Sequence, residues 1–267
     1  MGIPYAEVIG DPVAHSKSPV IHKFWLEQLG IRGDYRATRV TVDELPAYFT
    51  ARRADPDWRG CNVTMPHKEA AFGLVDASGP ARRIGAVNTI VRNEQLLIGV
   101  NTDGQGLSLA VGMTVLRPKR VAIVGAGGAA RAALEEMRLF RVDDVLLLNR
   151  SPEKAVALLD LFELQGEALP LGVAPTADLL VNASPLGMSG YPALDLDLSR
   201  LEEGATVLDM VYDPLETPLL QAARARGLKA IDGLTMLIHQ ASMAFAHFFK
   251  RSPEPADSPE LRRVLTS

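Results

Sequence analysis

The sequence predicts an α/β protein with a mixed-sheet N-terminal domain, a doubly wound nucleotide-binding domain and a C-terminal helix that returns to the first domain. Apolar runs of strand length alternate with stretches of helical periodicity along most of the 267 residues. A glycine-rich turn joins an apolar strand at 121–124 to a helix at 129–140. Polar residues gather just beyond the ends of the predicted strands, which is where open α/β sheets bind ligands.

Composition narrows the class. A chain that is 47% hydrophobic and 22% charged can build two modest domains with real cores. A net charge of −4 offers nothing to nucleic acid or an anionic membrane, so cations matter only where they cluster. Met1-Gly2-Ile3-Pro4-Tyr5 has neither the basic nor the apolar part of a signal peptide, and no apolar run is long enough to cross a bilayer. A cytoplasmic protein is expected. Cys61 is the single cysteine, which rules out an intramolecular disulfide and a cysteine zinc cluster; in a strand it is expected to be buried as a small hydrophobe. His15, His22, His67, His239 and His247 form no HExxH pair, so no metal is expected.

In the first domain, residues 1–102, a strand is expected near 5–9, a helix over 19–29, a strand over 35–40 and a helix after Thr41. Thr41 and Glu44 have the spacing of a capping box. A strand near 60–64, a helix over 67–75 and a hairpin over 86–100, turning at Asn93-Glu94, complete this part. The nucleotide domain, residues 103–235, opens with a helix from about Thr102, and its strands are expected at 121–124, 145–148, 178–183, 206–212 and 228–231. Thr217-Pro218 and Gly227 start and stop one of its helices. Residues 236–267 hold a long apolar helix over 236–249, a Pro-rich turn and a short terminal helix, and are expected to pack on the first domain.

In the turn Gly125-Ala126-Gly127-Gly128-Ala129-Ala130, Gly125 permits the tight bend, Gly127 lets the backbone approach a pyrophosphate and Ala130 allows close helix-on-strand packing. The helix start offers free N–H groups to an anion. The next strand runs into Asn149-Arg150-Ser151-Pro152-Glu153-Lys154, with no acid to accept from the ribose 2′-hydroxyl of NAD. Ser151 reads as an N-cap and Pro152 as the first helical residue, so Lys154 lies in the first turn near Arg150. Two cations and an amide suit a 2′-phosphate, at roughly 1.5–3 kcal/mol per charge-assisted hydrogen bond, and this points to NADP. The alternative is a turn that binds nothing, with solvated Arg150 and Lys154.

Three polar segments of the first domain complete the pattern. His15-Ser16-Lys17-Ser18-Pro19 follows the first strand, and Ser16 and Ser18 can present hydroxyls to a carboxylate; Ser18 can equally be a helix cap. Asn62-Val63-Thr64-Met65-Pro66-His67-Lys68 follows a strand and places Lys68 in a first helical turn, against the helix dipole, as a residue kept for chemistry or as a solvated lysine. Asn101-Thr102-Asp103 lies at the domain junction, with Asp103 either a site residue or an N-cap, and Asn88 reads as a turn or strand-edge amide or as a further neutral hydrogen-bonder.

Taken in order with Gly85-Ala86-Val87-Asn88-Thr89, Asn182-Ala183-Ser184-Pro185-Leu186-Gly187-Met188, Asp209-Met210-Val211-Tyr212-Asp213-Pro214 and Gly233-Leu234, these motifs resemble the shikimate dehydrogenases over nearly the whole chain. The resemblance implies a substrate domain, a Rossmann-type NADP-binding domain, and reversible NADP-linked reduction of 3-dehydroshikimate to shikimate in chorismate and aromatic amino-acid biosynthesis. It implies Lys68 and Asp103 as the catalytic pair, Ser16 and Ser18 on the substrate carboxylate, and Asn62, Thr64, Asn88, Asp103 and Gln240 on its hydroxyls, with Tyr212 also at the substrate. Gly125, Ala126, Gly127, Gly128, Ala129, Asn149, Arg150, Ser151 and Lys154 are implied at the cofactor, with Met210, Val211, Gly233 and Met236 towards its nicotinamide end. Ser151 stands where the family often has Thr, and Lys154 where it often has Arg, which keeps a hydroxyl and a cation. The partners expected are small molecules only, with no nucleic acid and no membrane, in a monomer or homodimer. A dehydrogenase of relaxed shikimate and quinate specificity and a non-catalytic NADP-binding sensor are the alternatives.

Overall fold

The structure, a computed structural model, describes residues 2–267, the side chain of Thr114 excepted. The chain divides into two compact units, Met1–Thr102 with Ile238–Ser267, and Asp103–Leu237.

The first unit begins with β1 (Tyr5–Gly10), α1 (Ser18–Gln28), β2 (Asp34–Arg39), a 3-10 turn at Val42–Glu44 and α2 (Leu45–Ala54). It continues with β3 (Trp58–Val63), α3 (Lys68–Phe72), β4 (Asp76–Ala77), α4 (Pro80–Ile84), β5 (Thr89–Asn93) and β6 (Leu96–Val100). The sheet order is β2-β1-β3-β5-β6-β4, and the sheet is mixed: β1 is parallel to β2 and β3, while β5 is antiparallel to β3 and β6. Side chains alternate across β1, so Tyr5 and Ile9 join Trp58, Cys61 and Ile90 on one face while Ala6 and Val8 join Tyr35 and Phe248 on the other. Glu7 lies on the first of these faces, fully buried, and is held by Arg52 at 2.6 Å, Tyr48 at 2.8 Å and Thr38.

Strong local signals form as the sequence predicts. The capping box at Thr41 forms, its N–H donating to Glu44 Oε2 at 2.8 Å. Other elements differ from the sequence reading. The helix expected over 67–75 stops at Phe72 because the chain turns at Gly73 into β4, an element too short to show a pattern. Ser18 is the first residue of α1 and Lys17 holds the cap position without a side-chain cap bond, so Ser18 is not the cap.

The second unit runs through α5 (Asp103–Val111), α6 (Met113–Leu116), β7 (Arg120–Val124), α7 (Gly128–Leu139), β8 (Asp144–Asn149) and α8 (Pro152–Phe162). It then adds β9 (Gly166–Pro170), β10 (Leu179–Asn182), β11 (Thr206–Asp209), α9 (Pro218–Ala225) and β12 (Lys229–Ile231). All six strands are parallel in the order β12-β11-β10-β7-β8-β9, so the winding reverses between β7 and β10, which opens a crevice at their carboxyl ends. The edge strand β9 has no apolar alternation and was not expected; backbone pairing to β8 makes it.

The last helices are α10 (Gly233–Phe249) and α11 (Pro259–Thr266). The helix α10 begins about one turn before Met236, where the apolar periodicity predicts its start. Asp232 Oδ1 accepts from Thr235 N at 2.9 Å and from its hydroxyl at 3.1 Å, which caps the helix and brings Gly233-Leu234-Thr235 into it. Met236 accordingly packs with Leu208 and Ile231 in a second-unit core. From Ile238 the helix belongs to the first unit, where Phe245 and Phe248 meet His22.

Candidate active site

In the first unit β1 and β3 are parallel neighbours, so the loops leaving their carboxyl ends emerge side by side. Gly10 is what permits this approach: an added Cβ would stand 2.4 Å from Thr64 Cγ2 and 3.1 Å from the Met65 carbonyl. The two loops carry Ser16, Ser18 and Thr64. Ser16 Oγ accepts from the Ser18 N–H at 3.3 Å, and the Thr64 N–H donates to Ile9 O at 3.0 Å. Ser16 and Thr64 are half-buried and Ser18 is buried.

Behind these loops lies a buried amide network. Asn62 Nδ2 donates to Asn88 O at 3.2 Å and to Thr89 Oγ1 at 3.0 Å, while its Oδ1 accepts from the Tyr35 hydroxyl at 2.6 Å. Asn88 Oδ1 accepts from the Thr102 N–H at 2.8 Å, and Asn88 Nδ2 reaches Thr102 Oγ1 at 2.9 Å and Gln240 Oε1 at 3.3 Å. Asn62, Asn88 and Gln240, predicted separately from residues up to 178 positions apart in the chain, therefore share one network. Tyr35, Thr89 and Thr102 belong to it as well. Thr89 and Thr102 stood beside residues singled out in the motifs, whereas Tyr35 had only the signature of an apolar strand residue.

Lys68 is positioned from both sides. It opens α3, half-buried, and its carbonyl accepts from the Val87 N–H at 3.0 Å, which ties the lysine to the segment bearing Asn88. His67, fully buried, holds the same loop from below with Nε2 donating to Val40 O at 2.6 Å. Asp103 is buried and is the first residue of α5, directly after Thr102, whose backbone the Asn88 amide grips.

In the second unit the strand β7 ends in Gly125 at φ +116°, where an added Cβ would lie 3.0 Å from Ala183 O. Gly127 has open space at its Cβ position and caps α7 in extended conformation with no side-chain cap bond. The first-turn N–H groups, beginning with Gly128 and Ala129, take no bond from a capping side chain, and Ala130 packs into the core. That fits a pyrophosphate. At the end of β8, Asn149 Nδ2 donates to Ser151 O at 3.1 Å. Ser151 occupies the N-cap position before Pro152, as the sequence predicts, and its hydroxyl makes no cap bond. Arg150 and Lys154 are exposed and, among the described residues, form no ion pair. Residues of this kind fit a 2′-phosphate.

Beyond β11, Met210, Val211 and Tyr212 form a segment fastened by Asp209. Its buried carboxylate accepts from Asn182 Nδ2 at 2.9 Å, the Val211 N–H at 3.0 Å and Thr217 Oγ1 at 2.6 Å, while burial pushes its pKa above the usual carboxylate range. Gly233 abuts this segment and Met236 lies in the core below it. The motif containing Asp209 was noticed in the sequence, but nothing there marked the carboxylate as the fastener. Burial likewise raises the Tyr212 pKa, with Asp213 adding to it. Among the described residues no three His, Cys, Asp or Glu side chains converge to hold a metal, and no helix is long and apolar enough to cross a membrane.

A parallel sheet with this turn, this open helix start and these cations is that of a dinucleotide-binding α/β enzyme, here accompanied by a mixed-sheet unit with a buried amide network. Residues 8–90 match the family model for the shikimate dehydrogenase substrate binding domain. The NADP(+)-dependent shikimate dehydrogenase of Sphingopyxis alaskensis is 55% identical over 267 aligned residues, covering 99% of this chain and 97% of that protein. The Thermus thermophilus shikimate 5-dehydrogenase, solved with NADP(H) and shikimate, superposes with TM-score 0.89 at 38% identity over 98% of this chain and 99% of that one. The ligand-free 5-ketofructose reductase of a Gluconobacter strain reaches TM-score 0.89 at 28% identity over 99% of each chain. The chain belongs to the shikimate dehydrogenase family.

Proposed function

We propose that the protein catalyses the reversible, NADP-linked reduction of 3-dehydroshikimate to shikimate in chorismate and aromatic amino-acid biosynthesis. The observation that carries this reading is the buried network of Asn62, Asn88 and Gln240 beside Ser16, Ser18 and Lys68, in a chain whose nucleotide turn is followed by Arg150 and Lys154 in place of an acid. Neutral amides and hydroxyls suit a polyhydroxylated ring, and paired serines suit its carboxylate.

NADPH, when bound, supplies the hydride. Negative charge then builds on the ring oxygen, where the Lys68 ammonium donates a hydrogen bond and delivers the proton. Asp103 orients the lysine and accepts from a substrate hydroxyl. Ser16 and Ser18 hold the carboxylate, Asn62, Thr64, Asn88 and Gln240 hold the hydroxyls, and Tyr212 contributes from the segment after β11. The glycine turn, Asn149, Arg150, Ser151 and Lys154 bind the nucleotide, with Met210, Val211, Gly233 and Met236 towards its nicotinamide end. In this reading residues 1–102 form the substrate domain and residues 103–235 the NADP-binding domain, with residues 236–267 returning to the first. The protein works in the cytoplasm as a monomer or homodimer.

The test is initial-rate nicotinamide absorbance on the purified protein, with shikimate and quinate each offered NADP and NAD. Turnover of shikimate with NADP well above the other combinations is the expected result. Comparable rates on quinate would make it an enzyme of relaxed specificity, and NADP binding without turnover of either acid would make it a sensor. Reduction of 5-ketofructose, the substrate in the name of one structural relative, is the further control.

A further inference from the structure

Tyr35 sits at 0% exposure in β2, two strands over from Asn62 on β3, and its hydroxyl reaches that predicted substrate residue. Its hydroxyl lies 2.6 Å from Asn62 Oδ1. The direction of this bond is set by the rest of the network. Asn88 O is a backbone carbonyl and can only accept, so the Asn62 edge facing it must be the NH2 group. Tyr35 therefore meets the amide oxygen and must donate to it. Its single proton is thereby committed to Asn62.

This leaves Asn62 with a restricted repertoire. Both Nδ2 protons are engaged, by Asn88 O and Thr89 Oγ1, so what remains for a ligand is one lone pair of Oδ1. The Tyr35 ring that sets this lone pair is itself clamped, stacked on His22 with centroids 3.9 Å apart and planes 10° from parallel. His22 lends no hydrogen bond of its own, since both its ring nitrogens are buried without a partner, and so acts on Tyr35 by packing alone.

We propose that Tyr35 is a positioning residue of the substrate site, which fixes Asn62 as an acceptor of a ring hydroxyl. The inference rests on the functional reading above. Tyr35 touches no reacting atom, so its loss acts on substrate binding and leaves the chemical step in place.

Steady-state kinetics of Tyr35→Phe, which removes one hydroxyl and keeps the stacked ring, provide the test. The expected result is a shikimate KM raised roughly 3- to 10-fold with kcat and the NADP KM changed less than twofold, the scale of one lost neutral hydrogen bond. In an Asn62→Ala background the same substitution is expected to add little, because the two residues act as one unit. His22→Phe, which alters only the packing partner, is expected to leave the shikimate KM near that of the unsubstituted enzyme. An unchanged KM in Tyr35→Phe, a KM effect that multiplies fully with that of Asn62→Ala, or an equal rise in His22→Phe would overturn the assignment while leaving the functional reading intact. Absence of shikimate turnover in the unsubstituted protein would overturn both.

Discussion

Gly233 stands against the backbone of Met210 so closely that an added Cβ would lie 2.5 Å from the Met210 carbonyl oxygen and the same distance from that of Val211. The segment cannot retreat freely, since the Met210 N–H is tied to Asn182 O at 3.0 Å and the Val211 N–H to Asp209 at 3.0 Å. Gly233→Ala is therefore expected to destabilise the protein by about 1–3 kcal/mol, the usual scale of overpacking, and to raise the NADP KM. Urea denaturation together with cofactor titration checks this, and unchanged values for both would show that the segment yields.

Lys68 and Ser16 are expected to separate in kinetics. Lys68→Ala should lower kcat by about two orders of magnitude or more with a smaller change in KM, the pattern of an interaction made in the transition state. Ser16→Ala should mainly raise the shikimate KM. A Lys68→Ala enzyme with near-normal kcat would remove the lysine from the chemistry.

Arg150 is exposed, so its hold on a 2′-phosphate is partly screened. Arg150→Ala is expected to reduce the preference for NADP over NAD by about tenfold, and the effect should shrink as salt is raised. The ratio of kcat/KM for the two nucleotides, measured at low and high ionic strength, is the readout. An unchanged ratio would place the phosphate elsewhere.

Glu136 on α7 is buried at 4% exposure, and burial raises its pKa to about 7, with Glu135 adding to the rise and a hydrogen bond from Ser108 opposing it. A folded-state pKa above the unfolded value means that this group favours the fold fully below about 4.5, and that its contribution is lost as pH rises towards 7. The loss amounts to about 3 kcal/mol. Glu136→Gln is expected to flatten the stability profile across that window and to raise Tm at pH 8; a variant whose profile parallels the parent's would contradict this.

His22 acts on the other flank. Complete desolvation lowers its pKa from 6.5 to about 3, so its contribution is present above pH 6.5 and is lost as pH falls towards 3. The difference is about 5 kcal/mol if the fold survives the whole range. His22→Phe keeps an aromatic ring against Tyr35 and should shift the midpoint of acid denaturation to lower pH, followed by near-ultraviolet circular dichroism.

Much of this architecture was legible in the residues because the signals are local. The apolar run before Gly125 is a strand buried on both faces, Gly125 serves the tight turn that follows it, and Thr41 and Glu44 cap within three residues of each other. Short elements escaped. β9 and β4 carry no apolar alternation, and α4 is only a few residues long, so their existence depends on the strands and loops they meet.

The sequence by itself determined the order of the longer strands and helices, the nucleotide turn with its following cations, and the set of polar residues at strand ends. These follow from periodicity and from the conformations that glycine and proline permit. Only the tertiary structure decided that Glu7 is a buried, paired charge, that Asp209 fastens the segment at Met210, and that Tyr35 donates to an amide 27 residues further on. The reason is physical: a side chain's hydrogen-bond partner is whatever the packed backbone brings within about 3 Å of it, and no repeat along one strand or helix encodes that distance.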